Sequence, residues 1–336
     1  MSRWGADPDA AAQALIESAL DALDVAGRAI AANAEPALTA ALSAGGATVT
    51  AWTRRQGPGC ANVSPWPPDG PFDLALLRLP KAKDEQLMTI HALLNVLAAA
   101  GRLIIYGGND EGIKSVAKLA DAVATDIVTV AARGHGRILS ARRPADPGVL
   151  KSTLAAWRQT GSVMIAGTAR AWCSYPGVFA DGHLDPGTAL LLQHLPACKP
   201  GARVLDYGCG TGIIAAHILV RDPSAVVTML DNDSAALVAA GENVPAASTV
   251  LAAAVDGAGT RQFDLIISNP PIHTGISENH AALAALITGA PRRLIKGGAL
   301  VMVVQRRIAL QDSLAERFTS VDILADDGRY RVWRAR

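Results

Sequence analysis

The chain has 336 residues, of which 50% are hydrophobic and 18% are charged. This length is sufficient for two domains that each bury a core, and the composition excludes an intrinsically disordered chain. The formal net charge of +1 neither requires nor excludes a nucleic-acid partner, because acidic residues elsewhere can balance a local basic patch.

The sequence carries no signal for a membrane or a metal. No apolar run approaches the ~18 residues of a membrane-spanning helix, and the first residues lack the basic and apolar regions of a signal peptide. We therefore expect a cytoplasmic protein without a membrane partner. The cysteines are widely spaced and lack a histidine at ligand spacing, which favours reduced thiols over a disulfide framework or a zinc site. They are Cys60, Cys173, Cys198 and Cys209.

Two segments of the chain, residues 72–80 and 263–271, repeat one another. Both begin Phe-Asp-Leu and continue as an apolar run, and each is followed by a helical stretch and a second apolar run after Gly101 or Gly298. Short apolar runs alternating with helical stretches indicate βαβ units and a parallel sheet buried on both faces. The sequence therefore predicts an α/β protein with two tandem Rossmann-like domains, with chance likeness between generic βαβ pieces as the alternative.

The two halves differ at their first strand-to-helix turn. The second half has a glycine-rich turn at residues 208–212, whereas nothing upstream of residue 72 is equivalent, since Gly45 and Gly46 form an isolated pair. Breakers at residues 144–148 indicate a boundary. We predict a degenerate domain over residues 1–155, which has lost its ligand-binding turn, and a functional domain over residues 156–336.

The glycine-rich turn follows an apolar strand and precedes a helix. Gly208, Gly210 and Gly212 allow the backbone to approach a ligand closely at the carboxyl end of a sheet. The dinucleotide pattern Gly-x-Gly-x-x-Gly would require glycine at position 213, where Ile213 stands. With Asp206 two residues before the first glycine, the turn predicts a site for a nucleoside without a pyrophosphate.

The next predicted strand ends in Asp231, 19 residues after Gly212. A carboxylate at this position can accept hydrogen bonds from two ribose hydroxyls, and the alternative is a solvated acid in an ordinary Rossmann turn. Asn232 and Asp233 are expected to cap the helix that follows.

The segment Asn269, Pro270, Pro271 and Ile272 ends the fourth strand of the second half, at the same sheet edge as the glycine-rich turn. Two consecutive prolines cannot continue a strand, so they fix a stiff turn. The Asn269 side-chain oxygen and the Pro270 carbonyl could each accept one N–H of an exocyclic base amine, which would direct the nitrogen lone pair at a methyl donor. A purely structural turn is the alternative, and the glycine-rich turn and Asp231 upstream favour the catalytic interpretation.

Together these motifs resemble the class I S-adenosylmethionine-dependent methyltransferases, and within them the RsmC/RlmG family of ribosomal RNA guanine-N2 methyltransferases. The resemblance covers residues 72–336 and includes the segments 79–83, 107–115, 176–179, 184–188 and 267–273. It implies a carboxyl-terminal domain that binds S-adenosylmethionine and catalyses, and an amino-terminal domain that supports the fold and RNA binding. It also implies methyl transfer to the N2 amine of a guanine, with small-subunit 16S RNA as the expected substrate.

The resemblance assigns site residues position by position. It places Asn269, Pro270, Pro271 and Ile272 at the reacting amine. It places the cofactor at Asp206, Gly208, Cys209, Gly210, Gly212, Asp231 and Asn232, with Phe179, Asp185, Gly187 and Thr188 at its entrance. Asp256 is either an adenine contact or a solvated turn residue.

The RNA contacts are less specific. Ile272 stands where many relatives have an aromatic residue that stacks on a flipped base, so stacking falls to another residue such as His273, which is equally a surface histidine. Phosphate contacts are expected for basic side chains, because they recognise the RNA backbone without reading its sequence. The candidates are Lys81, Lys83, Lys114, Arg142, Arg143, Arg306, Arg307 and the tail at residues 329–336.

Two other functions stay open at this point. Asn-Pro-Pro can hold a protein glutamine or adenine N6 of DNA equally well, although Ile272 and the duplicated first half argue against both. A non-catalytic RNA-binding assembly factor could retain the fold, although the intact glycine-rich turn and Asn269 argue against it. The expected partner is ribosomal RNA or a ribosomal subunit, bound by a monomer.

Overall fold

The computed structural model describes residues 8–20, 25, 27–179, 184–270 and 277–336. The chain divides into two compact units, residues 1–158 and 159–336. The boundary predicted after residue 155 lies in the short 3₁₀ turn Leu154–Trp157, just before this division. Among the described helices, none is long and apolar enough to cross a membrane.

The amino-terminal unit contains a mixed sheet covered by helices. Its strands are β1 (Arg28–Ala32), β2 (Thr48–Trp52), β3 (Phe72–Arg78), β4 (Leu97–Gly108), β5 (Thr125–Arg133) and β6 (Gly136–Arg142). Its helices are α1 (Pro8–Ala19), α2 (Pro36–Ala44), α3 (Lys83–Val96) and α4 (Ile113–Ala120). The strand order is β2-β1-β3-β4-β6-β5, in which β1 to β4 are parallel and β6 is antiparallel to both neighbours.

The carboxyl-terminal unit begins with a hairpin and continues as a second mixed sheet. Its strands are β7 (Gln159–Ile165), β8 (Thr168–Ser174), β9 (Arg203–Tyr207), β10 (Val226–Asp231), β11 (Ser248–Leu251), β12 (Phe263–Ser268), β13 (Leu294–Gln305), β14 (Val321–Asp326) and β15 (Tyr330–Ala335). Its helices are α5 (Pro186–Gln193), α6 (Ile213–Arg221), α7 (Ser234–Asn243), α8 (Ser277–Arg293) and α9 (Gln311–Ala315). The sheet order is β11-β10-β9-β12-β13-β15-β14.

The central strands of this second sheet are buried on both faces. In β9, Val204 packs into one hydrophobic cluster and Leu205 into another, and Ile267 and Ile266 of β12 divide in the same way. Because successive side chains of a strand point to opposite faces, this alternation shows that each face carries its own apolar layer. The predicted α/β architecture is confirmed.

Each sheet departs from the prediction at one edge. We expected a parallel sheet, but β6 in the first unit and β15 in the second each run antiparallel to both neighbours. The physical reason is the short connection before each of these strands, at residues 134–135 and 327–329, since a few residues can join only antiparallel neighbours.

The duplication inferred from the sequence is visible in the backbone. The Arg28 N–H donates to the Asp73 carboxylate at 2.8 Å, and the Arg203 N–H donates to the Asp264 carboxylate at 2.9 Å. The register between β3 and β4 and that between β12 and β13 shift at the same place, after Phe72 and after Phe263. The two units therefore share a detailed strand geometry as well as a strand order.

The shared geometry shows what the first unit lacks. Counted from the paired arginines, Ala31 occupies the place of Asp206, and only residues 33–35 separate β1 from α2. Counted along the repeated segment, Arg78 occupies the place of Asn269, and its guanidinium forms two hydrogen bonds with Glu111 at 2.5 and 2.8 Å. An ion pair thus stands where the second unit has its asparagine, which agrees with a degenerate first domain.

Asp264 should contribute measurably to the stability of the second sheet. It is largely buried, accepts the Arg203 N–H and lies 2.6 Å from the Lys199 ammonium. Asp264→Ala leaves a backbone donor without this charged acceptor, so we expect a loss of about 1.5–3 kcal/mol in the free energy of unfolding. Urea unfolding followed by circular dichroism measures it. Glu316→Ala, which removes an exposed charge from the same unit, should change stability by less than about 0.5 kcal/mol, and an equal loss in both variants would contradict the assignment.

Candidate active site

The glycine-rich turn between β9 and α6 has a conformation that requires its glycines. Gly208, Gly210 and Gly212 have φ values of 69°, 53° and 88°, in the left-handed region that side chains disfavour. A Cβ atom on Gly208 or Gly210 would meet nothing within 4 Å, so space lies beside the turn. A Cβ on Gly212 would approach Val244 and Met229 at 3.0 and 3.1 Å, so this glycine also permits close packing.

Hydrogen bonds hold the turn against the end of β10. The N–H groups of Gly208 and Cys209 donate to the Leu230 carbonyl at 2.8 and 3.1 Å, and the Gly210 N–H donates to the Asp231 carboxylate at 2.8 Å. The Cys209 side chain is buried, and burial raises the pKa of its thiol well above the usual range. Cys209 therefore contributes its backbone N–H to the turn and not a thiolate. The glycine-rich turn is therefore a fixed structure.

Asp231 links this turn to the start of α7. Its second oxygen accepts the Asp233 N–H at 2.9 Å, and each carboxylate oxygen can accept more than one hydrogen bond. Asp233 is the N-cap residue of α7, whereas Asn232 is exposed and does not cap. The structure thus assigns the expected capping role to Asp233 alone and places Asp231 at the sheet edge beside the glycine-rich turn.

Asp206 is a buried carboxyl group with one unused oxygen. Its Oδ2 atom accepts the Ala215 N–H at 3.1 Å, and its Oδ1 atom has no hydrogen-bond partner among the described residues. The pKa of Asp206 is raised to about 7, chiefly by burial and also by the Asp231 charge, while the Ala215 hydrogen bond opposes the shift. An unsatisfied buried oxygen is costly, so this atom is expected to have a function.

Asn269 lies directly after β12, next to the glycine-rich turn. Ser268 pairs with Tyr207 in the sheet and donates its hydroxyl to the Tyr207 carbonyl at 2.8 Å. The residues that follow this pair are Asn269 and Gly208, so the two motifs lie at adjacent positions of one sheet edge. Pro270 is buried beside Asn269.

The side-chain amide of Asn269 has a defined orientation. Its nitrogen donates to Asp185 Oδ2 and to Thr188 Oγ1, both at 2.9 Å. Because a carboxylate accepts hydrogen bonds and cannot donate them, the nitrogen must face Asp185, and the amide oxygen must face the other way. The hydrogen bonds therefore select the amide oxygen as the atom that Asn269 can offer to another molecule.

The start of α5 provides these two partners. Asp185 is the N-cap of α5, and the same Oδ2 atom also accepts the Thr188 N–H at 3.0 Å. The sequence interpretation placed both residues at the cofactor entrance, whereas the structure places their side chains on the amide of Asn269. The motif Asp-Pro-Gly-Thr could have predicted the cap, since Asp precedes a proline at the first helical position, but not its contact with Asn269.

Gly187 and the Tyr330 ring pack next to Asp185. A Cβ atom on Gly187 would lie 3.0 Å from Asp185 Oδ2 and 3.2 Å from the Tyr330 ring, so a side chain there would displace one of them. The sequence interpretation did not single out Tyr330. Phe179, another predicted entrance residue, is 44% exposed.

For the other predicted residues, the structure gives different outcomes. Asp256 lies in the 3₁₀ turn Val255–Ala258 and forms ion pairs with Arg292 and Arg293 at 2.8 and 3.1 Å, which favours a solvated turn residue over an adenine contact. Lys81 and Lys83 are exposed residues of the amino-terminal unit. Three further predicted positions lie outside the described residues: Pro271, Ile272 and His273.

Two predicted RNA contacts follow β13. Arg306 pairs with Asp326 at 3.3 Å, and the Arg307 guanidinium donates to the Gln305 side chain at 2.8 Å.

Within the described ranges, no group of three or more His, Cys, Asp or Glu residues is arranged to hold a metal ion.

Comparisons with known proteins show which family the chain belongs to. The family model for the methyltransferase small domain matches residues 170–334, and that for its N-terminal domain matches residues 27–159. The ribosomal RNA small subunit methyltransferase C of Pseudoalteromonas atlantica is 30% identical over 277 residues, covering 82% of this chain and 80% of the relative. That of Pseudomonas fluorescens is 35% identical over 287 residues, covering 83% of each.

A solved structure matches both units. It is the T. thermophilus 16S rRNA N2 G1207 methyltransferase (RsmC) in complex with AdoMet and guanosine, with a TM-score of 0.81 and 25% identity. The match covers 92% of this chain and 87% of that one. The chain therefore belongs to the ribosomal RNA small subunit methyltransferase C family of S-adenosylmethionine-dependent methyltransferases.

Proposed function

We propose that this chain transfers a methyl group from S-adenosylmethionine to the N2 amine of a guanine in 16S ribosomal RNA. The observation that carries the proposal is the amide of Asn269, whose oxygen is directed away from Asp185 at the edge that also carries the glycine-rich turn. Relatives named for small-subunit RNA, and a solved neighbour described with AdoMet and guanosine, support the same reaction. The proposal places the enzyme in the cytoplasm, acting as a monomer on ribosomal RNA or a ribosomal subunit.

The residues of the second unit fit S-adenosylmethionine. The space beside Gly208 and Gly210 would admit a ligand against the backbone, and the Oδ1 atom of Asp206, which has no hydrogen-bond partner among the described residues, would offer a buried acceptor for a cationic or N–H group. Asp231 would accept the ribose hydroxyls at the edge. When bound, the cofactor supplies an electrophilic methyl group.

The protein's part in the reaction is to orient and activate the amine. A guanine N2 amine is a poor nucleophile because its lone pair is delocalised into the ring. With one N–H accepted by Asn269 Oδ1 and the other by the Pro270 carbonyl, the nitrogen becomes more tetrahedral and its lone pair is exposed. Such positioning can supply several of the ~7–11 kcal/mol available to well-oriented reactants.

Asp185 strengthens this acceptor as well as orienting it. A hydrogen bond from the amide nitrogen to a carboxylate draws electron density towards the amide oxygen, because connected hydrogen bonds polarise one another. The Asn269 oxygen is thereby a better acceptor for the positive charge that develops on the substrate amine. Asp185 and Thr188 are thus positioning residues that act through Asn269.

The direct test of the proposal is methylation in vitro. The purified chain is incubated with S-adenosylmethionine and with either unmodified 16S RNA or small subunits, and the nucleosides are analysed by mass spectrometry. We expect N2-methylguanosine at one position of the RNA. A methyl group on a protein glutamine or on DNA adenine, or cofactor binding without any transfer, would overturn the proposal.

Asn269→Ala removes the acceptor for the substrate amine. We expect kcat to fall by about 10² to 10³, as when one donor of an oxyanion hole is removed. The dissociation constant of S-adenosylmethionine, measured by calorimetry, should be unchanged because the glycine-rich turn is intact. A kcat within about a factor of three of the wild type would contradict the assigned role.

Asp185→Asn tests the orientation of the amide. Asparagine is as good an N-cap as aspartate, so α5 should form, but its amide can accept or donate and no longer selects one orientation of Asn269. We expect kcat to fall about 10-fold to 100-fold, as for a lost hydrogen bond to a charged group, with unchanged cofactor affinity. Asp146→Asn makes the same change at an N-cap of the amino-terminal unit and should leave kcat unaltered. Equal effects of the two variants would rule out positioning by Asp185.

The raised pKa of Asp206 predicts pH-dependent cofactor binding. Asp206 is neutral below and ionised above a pH of about 7. A cationic ligand favours the ionised form, so affinity for S-adenosylmethionine should increase as the pH rises from about 6 to about 8. Asp206→Asn should bind the cofactor more weakly and without this rise. Calorimetry at several pH values measures both, and a wild-type affinity that is independent of pH would contradict the prediction.

A further inference from the structure

An open groove lies at the end of β13, beside the candidate active site. It has a volume of about 700 Å³ and is lined by Gln305, Arg306, Arg307, Gly328 and Arg329. These residues come from the carboxyl end of β13 and from the turn between β14 and β15, and the parallel strand β13 ends at the same edge as β9 and β12. The groove is therefore on the side of the sheet where the glycine-rich turn lies.

Hydrogen bonds fix the backbone segments that form the groove. The Arg306 N–H donates to the Arg329 carbonyl at 2.8 Å, which joins the two walls. Asp327 accepts the N–H groups of Arg329 and Tyr330 at 2.8 and 2.6 Å, and Gly328 adopts a φ of 88° in the same turn. The arginine side chains are thus mounted on a fixed turn and a strand end.

The arginines near this groove differ in how their charge is balanced. Arg331 and Arg334 are paired with Asp326 and Asp322 at 2.8 and 2.7 Å. In contrast, no carboxylate of the described residues pairs with Arg307, which contacts the Gln305 amide, or with Arg329, which lies over the Tyr330 ring at 5.1 Å. Two guanidinium groups therefore face the groove without a neutralising partner in the described part of the chain.

The groove is physically connected to the residues that hold Asn269. The Tyr330 ring beneath Arg329 lies against Gly187, which is next to the oxygen of Asp185 that binds the Asn269 amide. Along the sheet, Met302 is the partner of Ser268, and Gln305 is three residues beyond it, which corresponds to about 10 Å. Arg307 and Arg329 therefore lie close enough to contact the phosphate backbone of an RNA whose target base is bound at Asn269.

We propose that this groove is the phosphodiester subsite of the RNA substrate, in which Arg307 and Arg329 bind backbone phosphates that flank the target guanosine. The inference rests on the proposed function, since it takes the base at Asn269 to be part of an RNA. A planar guanidinium matches a phosphate with two parallel hydrogen bonds, and the aromatic face of Tyr330 fixes the direction of Arg329. Such contacts position the RNA without reading its sequence.

The test compares two double variants with equal loss of charge. Arg307→Ala with Arg329→Ala removes the groove cations, and Arg261→Ala with Arg317→Ala removes two exposed arginines before β12 and β14, at the opposite edge of the sheet. Binding of a single-stranded 16S RNA fragment is measured by fluorescence anisotropy at several salt concentrations. For the groove variant we expect about a tenfold or greater loss of affinity and a salt slope reduced by about 1.4, or ~0.7 for each phosphate that is no longer bound.

A second readout separates this role from catalysis. The groove variant should raise KM for RNA and leave kcat and the cofactor dissociation constant unchanged, because phosphate contacts are equal in the ground and transition states. An equal loss of RNA affinity in both double variants, or an unchanged salt slope, would overturn the subsite. If the wild type makes no N2-methylguanosine, the proposed function fails, whereas the binding comparison still decides the role of the groove.

Discussion

An asparagine side chain can present either a donor or an acceptor to a substrate, because its two ends have nearly the same shape. In this protein the choice is made by Asp185 and Thr188, which take both hydrogens of the Asn269 amide and leave its oxygen available. Two elements create this arrangement. Strand β12 ends directly before Asn269 and so places it at the sheet edge, and the N-cap position of α5 places Asp185 beside the Asn269 amide. Orientation of one amide thus depends on the packing of two elements.

The two units show how one strand geometry can either retain or lose a site. Where the second unit has Asp206 and Asn269, the first has Ala31 and Arg78, and Arg78 is bound to Glu111. In the second unit, the buried Asp206 Oδ1 atom has no hydrogen-bond partner among the described residues, which is costly unless a ligand uses it, and space lies beside Gly208 and Gly210. In the first unit, the Arg78 guanidinium and the Glu111 carboxylate bind one another at this position instead.

The sequence predicted the features that depend on local pattern. The glycine spacing, the acid that ends β10 and the Asn269-Pro270 pair after β12 each mark the end of a predicted strand, so their place at the sheet edge could be predicted from the sequence. The contact between Asp185 and Asn269 did not follow, because it joins residues 84 positions apart through tertiary packing. Likewise, the tail arginines look alike in sequence, and only the structure shows that Arg331 and Arg334 are paired with aspartates whereas Arg329 lies over a tyrosine ring.

The most direct test of this account is a double-mutant cycle between Asp185 and Asn269, read as kcat on 16S RNA. If Asp185 acts by orienting the amide, Asp185→Asn should lower kcat in the wild-type background and have almost no further effect in the Asn269→Ala background, because the group that it orients is gone. Additive effects of the two substitutions would show that Asp185 acts independently of Asn269, and would contradict the central claim.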